Sequence, residues 1–123
     1  MRGGDGPCLV FDVGGTRLRA ALYGGDRRTV SRVHVRDTPS TWTHPAAGGD
    51  EIRARLMEAM ADAGRAVLDG VDPRAVSIAF PGPVDAEGRV LAAPTIWGDR
   101  GCAPLDVAAA LAPHWPGAPV HVL

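Results

Sequence analysis

The residues best suited to chemistry lie near the start of the chain, in Asp12-Val13-Gly14-Gly15-Thr16 with Arg17 and Arg19 following. Adjacent glycines open backbone angles closed to other residues and let amide N–H groups approach a ligand without a Cβ in the way. Successive amides in such a turn form a concave anion site. Thr16 adds a hydroxyl donor, and Asp12 a carboxylate suited to holding Mg²⁺ through water. That mixture is what a metal-bound phosphate requires. A Gly-Gly pair by itself is more simply a hairpin turn beside a solvated aspartate. The context favours phosphate, because the turn joins two strands and arginines follow it. Neither the glycine-rich dinucleotide fingerprint nor the lysine-bearing P-loop is present.

The elements that must position these groups follow from the apolar pattern. The run Cys8–Val13, bounded by glycines, reads as a buried strand. Residues 17–23 alternate and end at the turn signal Gly24-Gly25-Asp26. Residues 29–36, with Val30, Val33 and Val35, give a third strand and complete an antiparallel meander. Residues 37–49 form a loop. Asp50 is placed to cap a helix that runs through Asp69, with Gly70 as its C-terminal stop. Ile52, Leu56, Met60, Ala63 and Val67 supply that helix with one apolar stripe for the core. Residues 75–80 predict a fourth strand buried on both faces, broken by Pro81-Gly82-Pro83. A short hairpin turning at residues 85–88 comes next. Pro104 opens an Ala- and Leu-rich helix that ends near Pro113, and residues 119–123 resume strand character. The expected class is α/β with a mixed sheet in the order βββαβαβ.

Composition removes several function classes. Thirteen basic residues stand against 14 acidic ones, a net charge of −1, so nucleic acid and membrane surfaces are not expected partners. All 13 are arginine. A Schiff-base lysine and the lysine of a P-loop or protein kinase are therefore excluded. At 123 residues the chain suits one domain. Cys8 and Cys102 are no disulfide framework, and Cys8 reads as a small apolar side chain in a buried strand. With no signal-peptide core and no membrane-length apolar run, a cytoplasmic setting is the expectation. His34, His44, His114 and His121 lack metal-ligand spacing, and Trp42, Trp97 and Trp115 read as packing residues or loop anchors.

Asp12-Val13-Gly14-Gly15-Thr16-x-x-Arg19-x-Ala21-Leu22 resembles the first phosphate motif of the actin-like ATPase (ribonuclease H-like) superfamily, in its ROK form (repressor, open reading frame, kinase). The second half agrees independently. Ala79-Phe80-Pro81-Gly82-Pro83-Val84-Asp85, then Gly88, Ala93-Pro94, Trp97, Pro104-Leu105 and Pro119-Val120 follow the ROK order and rough spacing. The resemblance implies ATP-dependent phosphoryl transfer to a hydroxyl of a sugar or cyclitol, with ATP and Mg²⁺ as cofactors. It implies that Asp12 helps place Mg²⁺ through water and that Gly14, Gly15 and Thr16 contact ATP phosphates. Arg17 and Arg19 would lie beside the nucleotide. Gly82 and Pro83 would line the sugar cleft, Thr95 would contact sugar hydroxyls, and Trp97 would stand near them.

Two substitutions depart from the family pattern. Arg17 stands where Lys or Asn is more usual, and Thr95 where many sugar kinases of the family carry Asn. A larger departure is an absence. The family's catalytic Asp, in an Asn-Asp-x-Asn segment, would fall immediately beyond Leu123; Asp85, Asp99 and Asp106 do not match it. The chain is therefore expected to be one N-terminal lobe over residues 1–123, cut before the catalytic Asp. Its companion would be a missing C-terminal lobe or a second copy of the chain. A catalytically inert fragment and a nucleotide- or sugar-binding regulatory protein stay open beside the kinase. ROK repressors carry an N-terminal helix-turn-helix, and seven residues before the first strand do not accommodate one.

Overall fold

A computed structural model describes residues 6–24, 29–98 and 103–123. Its elements are β1 (Cys8–Val13), β2 (Arg17–Gly24), β3 (Thr29–Asp37), α1 (Gly49–Leu68), β4 (Ala75–Ala79), α2 (Val107–Leu111), a 3₁₀ turn (Ala112–His114) and β5 (Val120–Val122). This is the expected βββαβαβ order. The strands form one mixed sheet in the order β3-β2-β1-β4-β5. β1 pairs antiparallel with β2, and β2 with β3, whereas β1–β4 and β4–β5 are parallel. The carboxyl ends of β1, β3, β4 and β5 therefore emerge at the same edge of the sheet. In open α/β sheets that edge is where ligands bind.

One face of the sheet carries the core. Leu9, Phe11 and Val13 of β1, Leu18, Ala20 and Leu22 of β2, and Val76 and Ile78 of β4 are buried there, with the predicted α1 stripe of Ile52, Leu56, Met60, Ala63 and Val67. Each fully buried aliphatic side chain of this kind contributes about 1.5–3 kcal/mol relative to exposure. Gly64 makes room for Trp115, since a Cβ there would come within 2.6 Å of the indole. The opposite face is open, and Val30, Val33 and Val35 lie on it, each exposed by 45% or more. Their spacing of three and then two is not the period of a regular strand. A β-bulge explains it: the register shifts opposite Ala20/Leu22, and Arg32 takes a positive φ of 53° there.

Several local expectations are corrected. Asp50 does not cap α1. The N-cap is Gly48 and makes no side-chain bond, while Asp50 sits in the first turn. At the other end Asp69 itself adopts the left-handed conformation at φ 48°, before Gly70 at φ 84°. β4 is buried on its α1 face alone. Ala75 and Ser77 are half-buried and Ala79 is exposed, because α1 covers only one side of the sheet. Pro104 does not open α2. Leu105 exchanges backbone hydrogen bonds with Val90, which commits it to a bridge, so the helix starts after Asp106, whose carboxylate accepts from the Ala109 amide. The short hairpin is present as isolated bridges, Val84 to Val90 and Val90 to Leu105. Cys8 is half-buried on the open face and its Sγ accepts a hydrogen bond from Arg74 at 3.3 Å. Gly25, Asp26, Asp99 and Cys102 lie outside the described residues.

Candidate functional site

The β1–β2 turn is held from below by the end of β3. Thr38, fully buried, donates its hydroxyl to the Gly14 carbonyl at 2.8 Å, and its amide to the Thr16 carbonyl at 2.9 Å. Both carbonyls, which would repel an anion, are thereby turned toward a buried partner. The Gly14 amide is committed to the hairpin through the Arg17 carbonyl at 2.9 Å. Among the described residues no hydrogen bond claims the amides of Gly15 and Thr16. The turn therefore offers two free amides and the exposed Thr16 hydroxyl, a donor set that fits a phosphate. Nothing in the sequence singles out Thr38, because its role depends on where β3 ends in space.

Gly14 and Gly15 are not glycines for their backbone angles, as neither has a positive φ. They are glycines for space. A Cβ at Gly14 would stand 3.0 Å from the Arg17 carbonyl oxygen. One at Gly15 would stand 2.7 Å from Cβ and 2.9 Å from Oγ1 of Thr95. Thr95, exposed and nearly eighty positions away in sequence, thus seats directly on the turn. Its segment is pinned by the Thr41 amide, which donates to the Ile96 carbonyl at 2.8 Å.

Asp12 and Arg19 are cross-strand partners on the open face, with their charged groups 3.8 Å apart. The Asp12 side chain stays 68% exposed, so its carboxylate is open to water and to a hydrated cation. Arg17 is exposed beside the turn. Gly82 and Pro83 reach the same edge in the excursion that follows β4. Gly82 has φ 133° and its missing Cβ would fall on the Ala92 carbonyl oxygen, while the Pro83 carbonyl accepts from Leu91. Only a glycine fits position 82. Asp85 is fully engaged in its own turn, accepting from the amides of Glu87 and Arg89 and from the Arg89 guanidinium at 2.7 Å. The Arg89 amide foremost holds its carboxyl below the ordinary value; partial burial opposes this, and the guanidinium and the Glu87 amide reinforce it.

Trp97 and Trp115 are buried, the first against Phe80 and Arg53, the second against Phe11. Trp42 is neither packed nor an anchor, since 89% of it is exposed. It stands at the rim of a cavity of about 360 Å³ that Gly15, Thr16, Asp37, Thr38, Ser40 and Thr43 also line. Among the described residues there is no cluster of three or more His, Cys, Asp or Glu side chains able to hold a metal. No described helix is long and apolar enough to cross a membrane.

A mixed sheet in this order, with the β1–β2 hairpin at the common carboxyl edge of its strands, has the fold of an actin-like ATPase lobe. No family model matches the sequence. The chain is 37% identical over 107 residues to the C(7)-cyclitol 7-kinase of Streptomyces hygroscopicus subsp. limoneus, an alignment covering 83% of this chain and 30% of that protein. It superposes on the crystal structure of a ROK family glucokinase from Streptomyces griseus in complex with glucose and AMPPNP with a TM-score of 0.71 at 23% identity, covering 95% of this chain and 32% of that one. For the ROK hexokinase of Thermus thermophilus the TM-score is 0.66 at 26% identity, with 95% and 34% covered. The chain is thus similar in sequence to a cyclitol kinase and in fold to ROK family sugar kinases, and it spans about a third of the length of the relatives it matches.

Proposed function

We propose that this chain supplies the phosphate-binding hairpin and one wall of the acceptor cleft of an ATP- and Mg²⁺-dependent kinase acting on a hydroxyl of a sugar or cyclitol. The observation that carries the reading is the seat of Thr95 on Gly15, with the Thr95 Cβ 2.7 Å from where a Gly15 Cβ would lie. Phosphoryl transfer requires donor phosphate and acceptor oxygen in near contact. Here the residue assigned to the acceptor abuts the turn assigned to the donor. The likeness to a C(7)-cyclitol 7-kinase favours a polyol acceptor.

In this reading the amides of Gly15 and Thr16 and the Thr16 hydroxyl hold phosphate oxygens. Gly14 shapes the turn, and Arg17 and Arg19 add positive charge alongside. Asp12 would hold Mg²⁺ through water, and the ion would neutralise charge on the transferring phosphoryl group. Gly82, Pro83 and Thr95 line the acceptor side. The acceptor proton requires a carboxylate base, which the family resemblance sets immediately after β5, whose carboxyl end opens on the same edge. Asp85 and Asp106 are occupied in a turn and a helix cap, so neither is that base.

The test is calorimetric binding of AMPPNP with Mg²⁺ to the chain and to Thr16→Val. A hydrogen bond to a charged partner contributes ~1.5–3 kcal/mol, so the variant should bind roughly tenfold or more weakly. Equal affinity in the two proteins, or no binding by either, overturns the assignment.

A further inference from the structure

The cavity beside the turn joins features that the phosphate site does not use. Tryptophan is among the most thoroughly buried residues on average, yet Trp42 holds its indole 89% exposed. A loosely tethered loop does not explain this. The Ser40 hydroxyl accepts the amides of Trp42 and Thr43 at 3.1 and 3.4 Å, and the Ser40 amide donates to the Thr43 hydroxyl at 2.9 Å. The Thr41 amide ties the same loop to Ile96, and Ser40 itself is 1% exposed. The backbone is fixed, and Trp42 stays exposed among the residues that line the cavity.

Asp37, the last residue of β3, also lines the cavity. Among the described residues no hydrogen bond or ion pair takes its carboxylate. A free carboxylate accepts hydroxyl protons and repels anions. The sequence contains neither Asn nor Gln, so amide side chains are not available for that task. An aromatic side chain and a few polar groups lining one volume of about 360 Å³ are the usual make-up of a small-molecule subsite.

We propose that Trp42 and Asp37 form the subsite for the ring of a polyhydroxylated, uncharged acceptor, with the indole stacked on the ring's apolar face and the Asp37 carboxylate accepting its hydroxyl protons. The inference rests on the kinase reading and adds to it a wall that neither Thr95 nor the Gly82-Pro83 segment supplies. The alternative occupant, the adenine of the nucleotide, offers the carboxylate fewer donors and brings phosphates toward it.

The experiment titrates the chain with glucose, myo-inositol and the C7 cyclitol valiolone, with AMPPNP and Mg²⁺ present. It follows the three indole N–H resonances, assigned with Trp42→Phe, and measures affinities calorimetrically. One of the ring compounds is expected to move the Trp42 resonance and leave those of buried Trp97 and Trp115 in place. Trp42→Ala should weaken ring binding roughly tenfold, as loss of an aromatic stacking partner does, while AMPPNP affinity changes less than about twofold. Trp42→Phe should keep most of the affinity, and Asp37→Asn should lose a similar factor of about ten. If the ring binds Trp42→Ala and Asp37→Asn as it binds the parent, the subsite is wrong and the kinase reading stands. If AMPPNP alone moves the Trp42 resonance, the indole stacks on the base and the proposal falls. Binding of AMPPNP with no ring compound bound also overturns the subsite. Failure of nucleotide and ring together overturns the kinase reading with it.

Discussion

Replacing Gly15 with alanine would set a methyl carbon 2.7 Å from the Thr95 Cβ, closer than packed carbons come, so one of the two must move. The Gly14 and Thr16 carbonyls of the turn are anchored from below through Thr38, whereas the Thr95 side chain is exposed. Gly15→Ala is therefore expected to damage the acceptor side more than the phosphate side. Calorimetry on the variant should show AMPPNP affinity within about threefold of the parent and ring affinity lowered by about tenfold or more, the cost of a displaced polar contact. A larger loss for the nucleotide than for the ring would mean that Thr95 is no acceptor contact. Asp12 shows why exposure matters at this scale. Its pairing with Arg19 at 3.8 Å across the sheet surface is weak, worth at most about 1 kcal/mol, and leaves the carboxylate available to a hydrated cation.

The excursion between β4 and α2 carries Gly82, Pro83 and Thr95 to the site, and its shape depends on one charged turn. Asp85 gathers the amides of Glu87 and Arg89 and the Arg89 side chain, and Val90 then bridges both Val84 and Leu105. The folded state lowers the Asp85 pKa below the ordinary 3.8, chiefly through the Arg89 amide. A lowered value means that the turn's contribution is fully present above the unfolded-state pKa and fades as pH falls through the folded one. Acid titration followed by amide resonances of residues 84–91 should therefore show a step below pH 3.8, missing in Asp85→Asn. A turn whose resonances hold through that range would show that Asp85 does not secure the excursion. α1 plays a simpler part, covering one sheet face, with Gly64 leaving room for Trp115.

At the scale of the molecule, the site is one-sided. Hairpin, cavity and Thr95 all lie at the carboxyl edge of a single sheet, and the chain covers about a third of its relatives' length. The face of Val30, Val33 and Val35 is open. Among the described residues, the carboxylates near the hairpin are Asp12, paired with Arg19, and Asp37, on the cavity wall. Neither matches the family's base. The isolated chain is accordingly expected to bind nucleotide and to show no measurable sugar or cyclitol phosphorylation, since a positioned base alone accounts for about 10²–10⁴-fold. Turnover of labelled ATP by the purified chain, with contaminating kinases excluded, would show that its own residues complete the chemistry.

The order of elements, the α1 stripe and the β1–β2 hairpin were legible in the sequence because each depends on neighbours a few residues away. Apolar periodicity and a Gly-Gly turn between strands are local signals. The bulge at Arg32 and the late start of α2 were not legible, since partner strands set both: Ala20 and Leu22 in one case, Val90 in the other. The site divides in the same way. Asp12, Gly15 and Thr16 stand together by sequence, and family likeness pointed to Thr95. That Thr95 rests on Gly15, that Thr38 turns the hairpin carbonyls inward, and that Trp42 and Asp37 line one cavity were decided by tertiary structure. Parallel pairing of β1 with β4 brings residues nearly eighty positions apart to one edge, and no local pattern encodes which long-range pair will close.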